Sequence, residues 1–311
     1  MAISPDQSGL ADVNEAGSSR NLEGALWMIA SGAVFTAFLT LSKVQSSHFD
    51  PGFLAFWRSF VALCLTLPVL LSNGWAILRV HQPGLVLLRS LFGTLGFILG
   101  FYAVSVEFGL PLSEFNGISF SRSLFITVIA FVLLKEPVGR HRWGATLAGF
   151  VGVLVMTQPQ SGISFGMVLA LAAAFCMAGA ITLVKVLSRR HRPVTLLIWA
   201  NLLSSIMLLP LVIWKWPAVP PSLYDWSMIA LMGACGVVGQ YCYIRAMAIG
   251  DASFLSPIDY LRLPMAASVD WLLFHTLPGM WAWAGTAIII SATAYITLRE
   301  QRKKRKPAQA P

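Results

Sequence analysis

Short polar turns divide the sequence into ten apolar stretches, at about 24–42, 53–71, 84–104, 112–134, 143–158, 163–187, 194–214, 226–247, 252–274 and 280–298. A helix needs about 20 residues to cross roughly 30 Å of hydrocarbon, where the backbone must satisfy its own hydrogen bonds. The spacing therefore predicts an all-α integral membrane protein with ten transmembrane helices. Charged residues make up 11% of the chain and hydrophobic ones 57%. A soluble domain carries about 25% charge, so no water-facing surface can be assembled here.

An internal repeat adds a second constraint. A shift of 142 residues places Lys43 on Lys185, Trp57 on Trp199 and Pro68 on Pro210 without a gap. An offset of 140 aligns Phe120-Ser121-Arg122 with Tyr260-Leu261-Arg262, and one of 141 aligns Pro137 with Pro278 and Gly144 with Gly285. The expected units are a disordered N-terminal tail at 1–23, repeat 1 at 24–158, repeat 2 at 159–299 and a basic tail at 300–311, both tails cytoplasmic. Five spans per unit is an odd number, so the second copy enters the membrane from the opposite side. Inverted repeats can rock about a midplane cavity and expose it to each side in turn. That architecture points to a transporter, although channels also use it.

Charge sets the expected orientation. Arg20, Arg79, Lys135, Arg140, Arg142, Lys185, Arg189, Arg190, Arg192 and the basic residues from Arg299 to Lys306 fall on one side of a ten-span chain, against Lys43 and Lys215 on the other. Lys and Arg are retained on the cytoplasmic face, so both termini are expected in the cytoplasm and the protein in the cytoplasmic (inner) membrane. The net charge of +9 is read as orienting charge meeting anionic lipid headgroups rather than as a nucleic-acid surface. The polar N-terminus lacks the basic region of a cleavable signal. Cys64, Cys176, Cys235 and Cys242 lie inside apolar runs with no CxxC pair, and read as small packing residues.

An ionisable residue inside a span is a functional candidate, because burying it unpaired is costly. Arg122 falls near the middle of span four and Arg262 at the matching place in span nine, flanked by Asp259 and Asp270. Asp259, Arg262, Ala266 and Asp270 lie within about 80° of arc on a helix. In span four Glu114, Gly117 and Ser121 share a face with Arg122 at its edge. Two readings stay open for the arginines: bidentate recognition of a carboxylate or phosphate on a substrate, or an internal ion pair, since Asp259 stands three residues from Arg262. Glu114, Asp259 and Asp270 are candidates for proton coupling or ion pairing. Trp57 and Trp199 either stack on a flat substrate or anchor at the interface. Arg58, Arg89 and Arg245, nearer predicted helix ends, are read as snorkelling to headgroups.

Glycines at Gly93, Gly96 and Gly100, and at Gly144, Gly149 and Gly152, predict small-residue ridges for close helix packing within a monomer, with a weak homodimer as the other use. Pro111, Pro257 and Pro264 fall where spans four and nine begin or bend. The sequence contains no HExxH, GxSxG, Walker or His-rich ligand pattern. No enzyme activity, metal or cofactor is expected.

With these residues in place, the chain resembles the EamA-type transporters of the drug/metabolite transporter superfamily. The likeness runs from about 24 to 300, through Phe120-Ser121-Arg122, Leu134-Lys135-Glu136-Pro137, Asp251-Ala252-Ser253 and Asp259-Tyr260-Leu261-Arg262-Leu263. The resemblance implies two inverted five-helix EamA repeats around a central cavity lined by spans three, four, eight and nine, with Arg122, Asp259, Tyr260 and Arg262 at motif positions. Together with Ser121, Trp57 and Trp199 these are the expected substrate-binding residues. The family's acidic turn is Lys135-Glu136-Pro137 in the first half and Thr276-Leu277-Pro278, without the acid, in the second. The implied substrate is an amino acid, a vitamin, an S-adenosylmethionine-like compound or another organic anion or zwitterion, moved by alternating access. The competing reading is a non-transporting membrane scaffold that keeps the fold.

Overall fold

The computed structural model describes residues 6–74, 78–134, 140–157, 164–188, 190–249, 255, 258–276 and 278–305. These are helical, in eleven segments joined by short turns: α1 (Asp6–Gln45), α2 (Pro51–Asn73), α3 (Pro83–Val104), α4 (Leu112–Ser119), α5 (Arg122–Leu134), α6 (Arg140–Thr157), α7 (Phe165–Leu187), α8 (Pro193–Trp214), α9 (Leu223–Ile249), α10 (Arg262–Phe274) and α11 (Met280–Arg305). From Asp6 the backbone is continuous with α1. The acidic turn at Lys135-Glu136-Pro137, the segment Asp251-Ala252-Ser253 and Pro257 lie outside the described residues.

Proline opens α2, α3 and α8 at Pro51, Pro83 and Pro193, where its missing N–H leaves no hydrogen bond unmade. Pro51 and Pro193 are repeat-equivalent, as are Pro68 and Pro210 inside the same two helices. The outer faces carry Leu71, Leu87, Leu147, Val151, Leu154, Ile206, Ile213 and Leu272, all exposed, as a lipid-solvated surface requires. Among the described residues, six helices are long and apolar enough to cross a membrane: the apolar part of α1, then α2, α3, α7, α8 and α9.

The packing is organised by the repeat. With α1, α2, α3, α4–α5 and α6 matched to α7, α8, α9, α10 and α11, each major contact has its exchanged partner. α1 lies along α9 and α3 along α7; α2 meets α9 and α3 meets α8; α5 meets α7 and α1 meets α10. The remaining large contacts, α2 on α8, α4 on α10 and α6 on α11, join equivalents directly. An approximate two-fold axis produces this pattern. α6 and α11 cross where a Cβ added at Gly152 would stand 2.9 Å from the Gly285 carbonyl oxygen. Two predicted ridge glycines do not pack: a Cβ at Gly93 or Gly144 would meet nothing within 4 Å. Cys64 is likewise exposed, whereas Cys176 and Cys242 are buried.

Spans four and nine are not continuous helices. Between α4 and α5 the hydrogen bonding tightens, with Ser121 N donating to Ile118 O at 2.9 Å and Leu124 N to Ser121 O at 2.9 Å. At the matching place before α10, Leu261 N donates to Ile258 O and Leu263 N to Tyr260 O, both at 3.0 Å. Pro264 explains the second break, since it removes the donor that Tyr260 O would otherwise receive. The first break carries no such proline. Tight turns of this kind inside a helix mark hinges and functional sites.

Candidate functional site

The two breaks face each other. The rings of Phe120 and Tyr260, equivalent residues of the two repeats, meet edge to face with centroids 4.9 Å apart. The local axis therefore passes between them. Arg262 leads α10 out of its break. Its Nε stands 2.9 Å from Asp259 Oδ1 and its Nη2 donates to Asp259 Oδ2 at 3.0 Å. The two side chains are 12% and 13% exposed, so the pair is largely shielded. The stem of Arg262 lies on α1, where a Cβ at Gly32 would stand 3.0 Å from Arg262 Cγ. Its guanidinium is 5.3 Å from the Phe35 ring centroid and 5.9 Å from that of Phe120.

Arg122 starts α5 and shares this neighbourhood with Arg262, Asp259, Tyr243 and Tyr260. Among the described residues it makes no ion pair. Asp259 neutralises Arg262, so among the described residues the cluster keeps one uncompensated positive charge. The preceding Ser121 is fully buried and its Oγ has no hydrogen-bond partner. A guanidinium without an ion-pair partner among the described residues, an unused hydroxyl and three aromatic rings at a backbone break can hold a flat molecule bearing a carbonyl, carboxylate or phosphate acceptor.

Asp270 and Glu114 lie elsewhere, at the end of the bundle away from the chain termini. Asp270 is completely buried. Its Oδ1 accepts from Leu112 N at 2.9 Å, and its Oδ2 from Ser113 N at 2.8 Å and Ser113 Oγ at 2.6 Å. A carboxylate at the N-terminus of α4 meets both the unpaired N–H groups and the positive end of the helix dipole. Pro111, at the N-cap, supplies no side-chain cap of its own, so Asp270 caps the helix from the other repeat. Lys43 joins it: Nζ is 3.9 Å from Asp270 Oδ1, donates to Leu110 O at 3.3 Å and lies 4.4 Å from the Phe274 ring centroid. Lys43 is thus buried in the last turn of α1 and not in a loop. Glu114 borders the same group and accepts from the Gly279 backbone.

A second cross-repeat contact at that end pairs Asp50 Oδ2 with Lys215 Nζ at 3.7 Å, while Asp50 Oδ1 accepts from Tyr102 Oη at 2.9 Å. The two equivalent tryptophans part company. Trp199 donates Nε1–H to Leu78 O at 3.0 Å and so ties down the chain before α3. Trp57 sits in a ring cluster, 4.6 Å from Trp226 between centroids, and its buried Nε1 has no partner. Neither borders the Phe120–Tyr260 contact. Arg245 is exposed beside Trp27, 5.9 Å from its ring centroid. Arg58 departs from the snorkelling expectation: it is buried, 8% exposed, inside the bundle.

The sequence profile of the EamA-like transporter family matches this chain twice, at residues 22–158 and 164–298. A riboflavin transporter of Rhizobium johnstonii is 32% identical over 296 residues, covering 93% of this chain and 96% of that protein. A riboflavin transporter of Vibrio cholerae serotype O1 is 30% identical over 289 residues, covering 92% and 96%. An S-adenosylmethionine uptake transporter of Rickettsia prowazekii is 25% identical over 284 residues, covering 90% and 94%. A solved crystal structure shares the fold at a TM-score of 0.57 with 20% identity, over 88% of this chain and 98% of its own.

Proposed function

The chain belongs to the EamA-like transporter family of the drug/metabolite transporter superfamily, and on that footing we propose that it carries a flat heteroaromatic metabolite, with riboflavin the first candidate, through the site between the two helix breaks. It is a multi-pass membrane protein and a small-metabolite transporter. The substrate, the ten-span inverted arrangement and alternating access are our reading.

Arg122 carries that reading. Among the described residues it stands without an ion-pair partner at the break of one repeat, beside an already neutralised Arg262–Asp259 pair at the break of the other. A structural arginine would be expected to take a carboxylate, as Arg262 does. The rings of Phe35, Phe120 and Tyr260 supply faces and edges for a planar ring system. Riboflavin presents such a ring with carbonyl oxygens that a guanidinium fork can reach. The leftover positive charge also suits a carboxylate, which keeps aromatic amino acids and other organic anions in the test set.

In this arrangement the repeats rock about the Phe120–Tyr260 contact. Lys43–Asp270 and Asp50–Lys215 hold the end remote from the termini closed, and opening that end requires them to separate. We place the termini in the cytoplasm of a bacterial cell, with the closed end facing outward, because the basic loops gather beside the termini. Uptake of labelled riboflavin, S-adenosylmethionine and aromatic amino acids into vesicles containing the purified protein tests the reading. Saturable flux of one compound, competed by the unlabelled form, supports it. An absence of flux for every compound favours the scaffold alternative.

A further inference from the structure

We infer a second oxyanion site, distinct from the break between the repeats, in a notch between α2 and α3 whose two cationic arms are Arg58 and Arg89. Arg58 is 8% exposed and its guanidinium lies over the Phe97 ring at 3.8 Å from the centroid. Its Nη2 donates to Ser59 Oγ at 3.1 Å, and its Nε has no partner. Arg89 reaches the same region from α3, close enough for the two like charges to act on one another, and its buried Nε is also unpartnered. Beside them Thr94 Oγ1 and Ser204 Oγ are 2.8 Å apart, and Ser59 Oγ reaches Ser204 Oγ at 3.3 Å.

Among the described residues no protein counter-ion is at hand. The sequences of α2, α3, α7 and α8 contain no Asp or Glu, and α9 has only Asp225, in its first turn. Two guanidinium groups without a carboxylate are expensive to hold inside a bundle unless something else supplies the negative charge. The space for it is in register with them. On α3, Arg89, Gly93 and Phe97 follow at intervals of four and so form one stripe. A Cβ at Gly93 would meet no heavy atom within 4 Å, so the middle of the stripe is open between one arginine and the ring that carries the other. Two planar forks around such a gap, with hydroxyls alongside, fit a phosphate-class oxyanion.

The anion is either a soluble phosphate-bearing compound or a lipid headgroup, and one experiment separates them. The purified full-length protein is placed in phosphatidylcholine nanodiscs and titrated with inorganic phosphate against chloride at matched ionic strength. The thermal unfolding midpoint is followed by tryptophan fluorescence. A parallel set replaces part of the phosphatidylcholine with phosphatidylglycerol. A saturable upward shift with phosphate identifies a soluble anion, and a shift with phosphatidylglycerol alone identifies a headgroup; either supports the site. The shift is expected to vanish in Arg58→Gln and Arg89→Gln, and to persist in Arg122→Gln. Gly93→Leu keeps both charges and fills only open space, so it should fold normally and still lose the shift. No shift from either source in the wild type, or one that survives Gly93→Leu and both arginine variants, overturns the proposal. Binding is read through its effect on stability and not through flux, so the outcome does not depend on whether transport is seen.

Discussion

Arg122 and Arg262 occupy equivalent positions of the two repeats, yet their surroundings predict opposite consequences of the same substitution. Arg262→Gln leaves the largely shielded Asp259 without its partner, and since breaking a fully buried pair costs about 3–5 kcal/mol, a part of that cost should lower the thermal midpoint of the purified protein. Arg122→Gln removes a charge that no described residue balances, so the midpoint should hold or rise. Its effect belongs in transport: a hydrogen bond to a charged group contributes about 1.5–3 kcal/mol, which predicts roughly a tenfold to hundredfold increase in apparent KM. A matched loss of stability in both variants would contradict the difference. The arginines and Asp259 were legible in the sequence because an ionisable residue in an apolar run stands out. Their division of labour was not, since it depends on which guanidinium the single carboxylate reaches. Spacing placed Asp270 on the stripe of Arg262 but could not show that its oxygens are already taken by the N-terminus of α4.

Helix ends and crossings decide the next level. Asp270 accepts three hydrogen bonds from α4 and faces Lys43, so Asp270→Asn should unfasten the start of that helix. The expected loss is again about 3–5 kcal/mol, read as a lower midpoint in the same unfolding assay; an unchanged midpoint would mean that Asp270 does not hold α4 in place. The α6–α11 crossing supplies a steric counterpart. A side chain at Gly152 meets the Gly285 carbonyl and Ile288 at 2.9 Å, so Gly152→Leu should separate the helices and lower the midpoint, whereas Gly144→Leu, in open space, should not. Eight of the ten expected spans fall on single helices, and six of these, among the described residues, are long and apolar enough to cross a membrane, because hydrophobic length is a strong signal. The breaks in spans four and nine escaped it: each is set by one or two hydrogen bonds shifted by a residue, and only Pro264 marks one of them in the sequence.

At the scale of the whole molecule, the exchanged packing of α1 on α9 and α3 on α7 places the approximate axis through the Phe120–Tyr260 contact. The repeat offsets foreshadowed this axis, but they could not foretell where equivalent residues diverge: Lys43 is buried against Asp270 while its equivalent Lys185 is exposed. The end remote from the termini is therefore held by residues that the duplication did not keep alike. Asp50→Asn removes one of the two ion pairs found there among the described residues. The Lys215 side chain is 48% exposed, so the stability change should stay below about 1 kcal/mol, but labelling of a cysteine placed in the α1–α2 turn should quicken as that end opens more often. The most direct test of the central claim is riboflavin uptake into vesicles by the wild type and Arg122→Gln at equal protein incorporation. The site between the breaks predicts saturable uptake by the wild type, and an apparent KM at least tenfold higher in the variant with an undiminished thermal midpoint. Identical uptake kinetics in the two proteins would contradict it.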